Sequence, residues 1–164
     1  LEDIIMEIRD IMLTEEGHKK LVEELQYLKG PRKMEVDKKI KIAREFGDLS
    51  ENSEYEEAKN EQALLEAKIA DMEATIRNAK VVADHEISTR KAGVGTQVTV
   101  YDYEFEEEVT YSIVGATEVN VAENKISNES PVGKALIGKK KGEDFEVETP
   151  AGVSKYKLLD IKRI

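Results

Sequence analysis

The chain has 164 residues, with 35 acidic and 25 basic side chains and a formal charge of −10. Residues 1–80 hold 20 acids and 14 bases and residues 81–164 hold 15 and 11, so neither half is basic. That argues against a protein that grips duplex nucleic acid by itself, because such binding rests on Lys and Arg neutralising phosphates. No apolar run approaches the length of a membrane span, and no charged-then-apolar leader opens the sequence. Without Cys there are no disulfides, thiolate nucleophiles or Cys-ligated metals, and the two His, His18 and His85, stand apart. These absences fit a cytoplasmic protein with no membrane contact. The chain opens on Leu1 rather than Met, and residues 1–11 read as an N-terminal extension, non-native or poorly ordered.

Residues 12–82 are rich in Glu, Lys, Ala and Leu, with Pro only at Pro31. Thr14 is placed to cap a helix, and Leu21, Leu25 and Leu28 give that helix an apolar stripe. Gly30-Pro31 then predicts a kink or short break, since Pro31 lacks an amide hydrogen and disfavours helix at the residue before it. Val36, Ile40 and Ala43 resume the stripe one residue out of phase. Phe46-Gly47-Asp48-Leu49-Ser50 reads as a short connection. Beyond it, Tyr55, Ala58, Gln62, Leu65, Ile69, Met72, Ile76 and Ala79 alternate spacings of 3 and 4, a heptad seam with one polar position at Gln62. So narrow a stripe seeks another helix rather than a sheet. The short connection makes the arms antiparallel: a coiled-coil hairpin of about 30 residues per arm, roughly 45 Å long. Its acidic tip spans residues 47–55.

Residues 83–92 break the helical pattern and read as a linker. Residues 93–164 switch to β-branched residues, Gly-marked turns and alternation of period two, with candidate strands at 97–101, 109–114, 125–127, 145–148 and 154–164. Ser130 and Pro131, with Gly138 beyond, predict a short helix capped by Ser, opened by Pro and closed by Gly. The acidic run 102–108 reads as a solvated turn and not a metal site, because consecutive acids there have no fixed geometry. The fold class is therefore α+β: a long antiparallel helical hairpin followed by a small antiparallel sheet domain with a short helix.

On spacing alone, two readings of the tip stay open. Asp48 and Glu51 stand three apart, as in a capping box, so Asp48 or Ser50 could cap the second helix while the acids favour the positive end of its dipole. Alternatively, both carboxylates project from the tip as a pair. Two carboxylates are too few ligands for a self-contained Mg²⁺ site. They could complete a metal held by another protein, as a two-metal reaction on a phosphodiester requires.

The run Gly47-Asp48-Leu49-Ser50-Glu51-Asn52-Ser53-Glu54-Tyr55 closely resembles the tip motif of the bacterial Gre transcript cleavage factors. The resemblance extends to Leu13-Thr14-Glu15-Glu16-Gly17 with the stripe behind it. It also covers Ile126-Ser127 and Ser130-Pro131-Val132-Gly133-Lys134-Ala135-Leu136-Ile137-Gly138-Lys139, and in all it spans residues 12–164. It implies a coiled coil at 12–82, a linker at 83–92, a C-terminal domain at 93–164 similar to the FKBP fold, and bacterial RNA polymerase as partner. By this resemblance the hairpin enters the polymerase's secondary channel and brings its tip to the nascent RNA 3′ end. Asp48 and Glu51 match the acids that help hold a second Mg²⁺ and orient the attacking water, so that the polymerase cleaves its own transcript. Arg44 matches a basic residue that contacts RNA, with an exposed helix charge as the equal alternative. Ser130 and Pro131 match the segment that docks on the rim of the channel. Tyr55 lies on the seam and reads as core rather than as a stacking platform for RNA. The isolated chain would be a monomer without a cofactor, a stimulator rather than an enzyme, with any DNA held by the polymerase.

Three rivals remain. An inhibitory secondary-channel protein, such as the anti-Gre homologue or DksA, shares the hairpin. The Asp48 to Glu51 spacing favours cleavage, and the absence of Cys counts against a DksA-like zinc cluster. An FKBP-type isomerase or chaperone needs an aromatic pocket, and this chain has no Trp and only three Phe and six Tyr. A coiled-coil scaffold without chemistry would satisfy the heptads alone. The acidic balance of residues 1–80 favours the less basic of the two main Gre branches.

Overall fold

The structure, a computed structural model, describes residues 11–46 and 52–164. Among the described residues two compact units emerge: Lys19–Asn78, and a second unit made of residues 11–18 together with Ala79–Ile164. The expected N-terminal extension lies outside the described residues, except for Ile11, which opens a strand.

The hairpin is built from α1 (Glu15–Tyr27), a π-helical turn (Leu28–Arg32), α2 (Lys33–Glu45) and α3 (Ser53–Asn78). The break expected at Gly30-Pro31 is instead this π turn. Tyr27, Arg32 and Lys33 all keep right-handed helical angles, and the Lys33 amide reaches back to the Leu28 carbonyl, five residues away. A wider turn accommodates the missing Pro31 amide and adds one residue to the helix. That extra residue cancels the phase slip in the stripe. A regular heptad from Leu28 would bury Glu35, Lys39 and Ile42; these are exposed, and Val36, Ile40 and Ala43 are buried in their place. Leu28, Val36 and Ile40 form one cluster with Ala58, Leu65 and Met72, flanked by Leu21, Leu25, Tyr55 and Ile69.

Ion pairs line this seam. Lys29 meets Glu73 at 2.6 Å, Lys68 meets Glu24 at 2.6 Å, and Glu61 joins Lys39 at 2.8 Å and Arg32. The hydrogen bond from Lys39, ahead of the attraction of Arg32, holds the Glu61 carboxyl below the ordinary Glu range, and Lys29 does the same for Glu73. Depressed carboxyl pKa values stabilise above the ordinary Glu range and lose that effect as pH falls. Exposed as they are, the pairs contribute little individually.

The second unit begins with β1 (Ile11–Thr14), which pairs in parallel with β2 (Ala79–Val82). Sequence periodicity carries the helical region to residue 82, with Ala79 on the seam. The chain instead leaves α3 at Asn78, where Ala79–Val82 pair with Ile11–Thr14, the strand that leads into α1. A parallel pair needs a long crossover, and the whole hairpin serves as one. Residues 83–92, read as a linker, are mostly exposed but anchored at two points. Ile87 and Ala92 are buried, Arg163 donates to the Ile87 carbonyl at 3.1 Å, and the Ala92 amide donates to Lys139 at 2.8 Å.

Five strands follow: β3 (Thr96–Asp102), β4 (Glu107–Val114), β5 (Lys125–Ser127), β6 (Asp144–Thr149) and β7 (Gly152–Arg163), in sheet order β5-β4-β3-β7-β6. The sheet is antiparallel except where β5 joins β4 in parallel after two short 3-10 turns. Alternation puts Val98 and Val100 of β3 and Phe145 and Val147 of β6 into the core, with Ile113 and Leu136. β7 carries a bulge: Thr99 pairs with Asp160 but Val100 with Leu158. Strict alternation would put Leu158 and Ile161 on opposite faces, and the extra residue lets both be buried. The acidic turn is not wholly solvated. Asp102 is 5% exposed, and its Oδ1 accepts the amides of Glu104 at 2.8 Å and Phe105 at 3.2 Å.

A Cβ added to Gly30 would meet nothing within 4 Å. Gly30→Ala should therefore stabilise the hairpin by about 0.5–1 kcal/mol through helix propensity. Deleting Gly30 should instead turn Val36, Ile40 and Ala43 about 100° off the seam and unfold the hairpin early. Urea unfolding followed by far-ultraviolet circular dichroism reads both.

Candidate functional site

At the tip, α2 ends on Phe46, whose amide donates to the Ala43 carbonyl at 3.4 Å. Asn52 begins the return arm. Its Oδ1 accepts the Tyr55 amide at 3.1 Å, which caps α3, and its Nδ2 donates to the Ala43 carbonyl at 2.6 Å. One side chain thus satisfies an orphan donor of α3 and ties it to the last turn of α2. The capping reading assigned this place to Asp48 or Ser50. The cap is Asn52, and the position three beyond it is Tyr55, which has no carboxylate or amide to close a capping box. Asp48 and Glu51 fall in residues 47–51, outside the described residues.

Arg44 is exposed, and its guanidinium carbon lies 5.7 Å from the centroid of the Tyr55 ring. Such a contact is worth about 0.5–1 kcal/mol at an exposed site, enough to bias where the cation is held. Tyr55 is half-buried against the hairpin cluster, as its seam position predicted. Phe46, which follows the last residue of α2, is 76% exposed. Among the described residues, no group of three or more His, Asp or Glu could hold a metal ion.

Ser130 and Pro131 open α4 (Pro131–Leu136) in the sheet unit. Ser130 Oγ accepts the Gly133 amide at 3.0 Å and donates to the Ser127 carbonyl at 2.7 Å, so its hydroxyl is engaged within the fold. The Pro131 ring is exposed. A Cβ on Gly133 would sit 2.0 Å from the Ser127 carbonyl oxygen, so only Gly lets the helix approach so closely. Gly138, at φ +80°, ends the segment.

Sequence reasoning missed Asn52 and Glu118. Asn is a favoured cap, and its place before Ser53 was a usable signal. Glu118 bonds Thr14 across 104 positions of sequence, and no local pattern could announce that.

The helical hairpin and the sheet domain are each matched by a family model, in the same order. The model described as "Transcription elongation factor, N-terminal" matches residues 11–81, and "Transcription elongation factor, GreA/GreB, C-term" matches residues 87–163. The chain belongs to the GreA/GreB family of transcription elongation factors. Its curated relatives include GreA proteins. That of Caldanaerobacter subterraneus subsp. tengcongensis is 56% identical over 155 residues, 94% of this chain and 99% of the relative. That of Clostridium acetobutylicum is 55% identical over 151 residues, 92% and 96% of the two chains. The crystal structure of GreA factor homolog 1 from Thermus thermophilus aligns over 94% of this chain and 99% of its own, at 31% identity and a TM-score of 0.43. No helix among the described residues is long and apolar enough to cross a membrane.

Replacing Asn52 with Ala should destabilise the hairpin by about 1 kcal/mol and fray its tip. Asn52→Asp should retain the cap on Tyr55 but lose the tie to Ala43, giving a smaller loss. Hydrogen exchange at the Tyr55 and Phe46 amides, with thermal unfolding, separates the two functions.

Proposed function

We propose that this chain inserts its helical hairpin into the secondary channel of bacterial RNA polymerase and stimulates the polymerase's own cleavage of backtracked RNA. The observation that carries this reading is the near-full-length match to GreA relatives, beside the Gre-like tip run from Gly47 to Tyr55 in this chain's own sequence. The geometry supports it. A hairpin of roughly 45 Å, with one continuous outgoing arm, suits a narrow passage, and its rigidity limits the entropy lost in placing the tip.

In this reading Asp48 and Glu51 supply anionic oxygens at the polymerase active site. Hard carboxylate donors suit Mg²⁺, and two are fewer than its shell requires, so the remaining ligands belong to the polymerase and its RNA. When bound there, the ion supplies Lewis-acid activation of a water for attack on a phosphodiester. Arg44, held beside Tyr55, offers a cation to the RNA phosphate. Ser130 and Pro131 dock the sheet unit at the channel rim, with Pro131 as the exposed contact. The factor acts in the cytoplasm as a monomer, borrows the polymerase's catalytic centre and is not itself an enzyme.

Asp48→Asn and Glu51→Gln should each lower stimulated cleavage about tenfold or more while binding changes little, because the lost contacts form only as the reaction is set up. Their melting temperatures should match wild type, and excess Mg²⁺ should restore part of the activity. Wild-type cleavage of stalled elongation complexes by both variants would remove the ligand assignment.

Pro131→Glu should weaken competition for polymerase without altering thermal unfolding. Ser130 keeps the cap, and an acid in the first turn of a helix is compatible with its dipole. Undiminished competition would separate Pro131 from docking.

A further inference from the structure

Within the sheet unit, the turns that close β3–β4 and β6–β7 lie side by side. They sit where β3 finishes, whereas β5 seats Ser127 beside Val114, at the end where β3 begins. The Tyr103 amide donates to the Lys155 carbonyl at 3.1 Å, so the pairing of β3 with β7 continues one step past Asp102. Ser154 Oγ donates to a Glu104 carboxylate oxygen at 3.3 Å. Phe105 and Val153 come next on the two segments, 69% and 60% exposed. Tyr103, also exposed, is held from three sides. Its hydroxyl donates to Asp144 at 2.9 Å, its ring meets Tyr101 edge to face at 5.3 Å between centroids, and Lys155 Nζ lies 5.7 Å from its own centroid. An open hollow of about 380 Å³ is lined by Tyr103, Glu104, Thr149, Val153 and Lys155 among its walls.

The turn itself does not ask for these side chains. It closes on the Asp102 carboxylate, which accepts the Glu104 and Phe105 amides through their backbone alone. Apolar side chains exposed singly are ordinary, but Tyr103, Phe105 and Val153 stand together around one hollow. A ring already fixed, as Tyr103 is, loses little freedom when a partner covers it. The charge around the hollow defines that partner. Residues 102–108 and 144–157 hold eight acids and two bases, while the rest of residues 81–164 holds seven acids and nine bases. Of the two bases, Lys155 already lies over the Tyr103 ring. Nucleic acid is repelled from such a surface, and a second copy of this chain would bring the same acids against it. Among the described residues no group of three or more acids could hold a metal ion. A protein segment with Lys or Arg beside an apolar side chain answers both halves of the surface: the apolar group enters the hollow, and the cations meet the carboxylates at its rim.

We propose that the Tyr103–Phe105 turn and Val153 form a docking surface for a protein segment that carries Lys or Arg beside an apolar side chain. The proposal uses none of the residues assigned to the tip or to Pro131, and it stands whether or not that reading holds. It is tested on the full chain with three short labelled peptides: alternating Lys and Leu, alternating Lys and Ser at the same charge, and alternating Glu and Leu. Fluorescence anisotropy at about 0.15 M salt should show the Lys–Leu peptide bound about tenfold tighter than Lys–Ser, and Glu–Leu unbound. Phe105→Ser combined with Val153→Thr alters two exposed side chains, so thermal unfolding should be unchanged while Lys–Leu binding weakens about tenfold. In nuclear magnetic resonance spectra of the wild type, the peptide should move the amide signals of residues 102–108 and 149–155. Should the double variant unfold early, that shift map decides alone. Absence of Lys–Leu binding overturns the proposal. Equal affinity for Lys–Leu and Lys–Ser means charge attraction only and overturns it too, as does binding of Glu–Leu. Undiminished binding by a folded double variant, or shifts centred elsewhere, such as the exposed Met34 and Leu64 of the hairpin, has the same consequence.

Discussion

Val36, Ile40 and Ala43 meet α3 only because the helix before them carries one residue more than a regular α-helix would hold. Pro31 cannot donate an amide hydrogen, and the surrounding turn widens until the Lys33 amide reaches the Leu28 carbonyl. The added residue rotates everything beyond it by one helical step. Buried Val, Ile and Ala then oppose Ala58 and Leu65, where Glu35, Lys39 and Ile42 would otherwise stand. Burial of each large side chain is worth about 1.5–3 kcal/mol, far more than any exposed ion pair beside it. The apolar seam therefore sets the register of the arms, and the register places the Ala43 carbonyl within reach of Asn52.

The sheet unit solves the same problem with its own device. β7 must bury both Leu158 and Ile161, which strict alternation forbids, and a bulge absorbs the odd residue. Side-chain hydrogen bonds also serve the first turns of α1 and α3. Asn52 joins the arms at the tip, and Glu118 accepts the amide of Thr14, the residue that caps α1. Each contact involves backbone groups that a helix leaves unsatisfied, so each adds direction as well as stability.

The residues of the proposed function are divided between the two units. Arg44 and Tyr55 share one edge of the tip, and Pro131 projects from a helix whose start Ser130 and Gly133 hold against Ser127. An acidic chain of this kind needs no basic groove of its own if duplex DNA is the partner's charge to hold.

The sequence by itself determined what depends on near neighbours. The 3 and 4 spacing from Tyr55 to Met72, the Thr14 cap, the Ser130-Pro131 helix start and the five sheet strands were all legible, because each is a pattern within a few residues. The tip acids were legible only as a motif, and Asp48 and Glu51 stand outside the described residues. Local capping rules pointed to Asp48 or Ser50, and the position of Ala43 on the opposite arm made Asn52 the residue that serves both helices. Only the tertiary structure decided the pairing of Ile11–Thr14 with Ala79–Val82, the parallel seat of β5, the burial of Asp102 and the link from Glu118 to Thr14. Each joins groups distant in the chain or depends on what lies across a sheet. Hydrophobic periodicity records which face of an element is buried, but it carries no record of which distant backbone amide will need an acceptor.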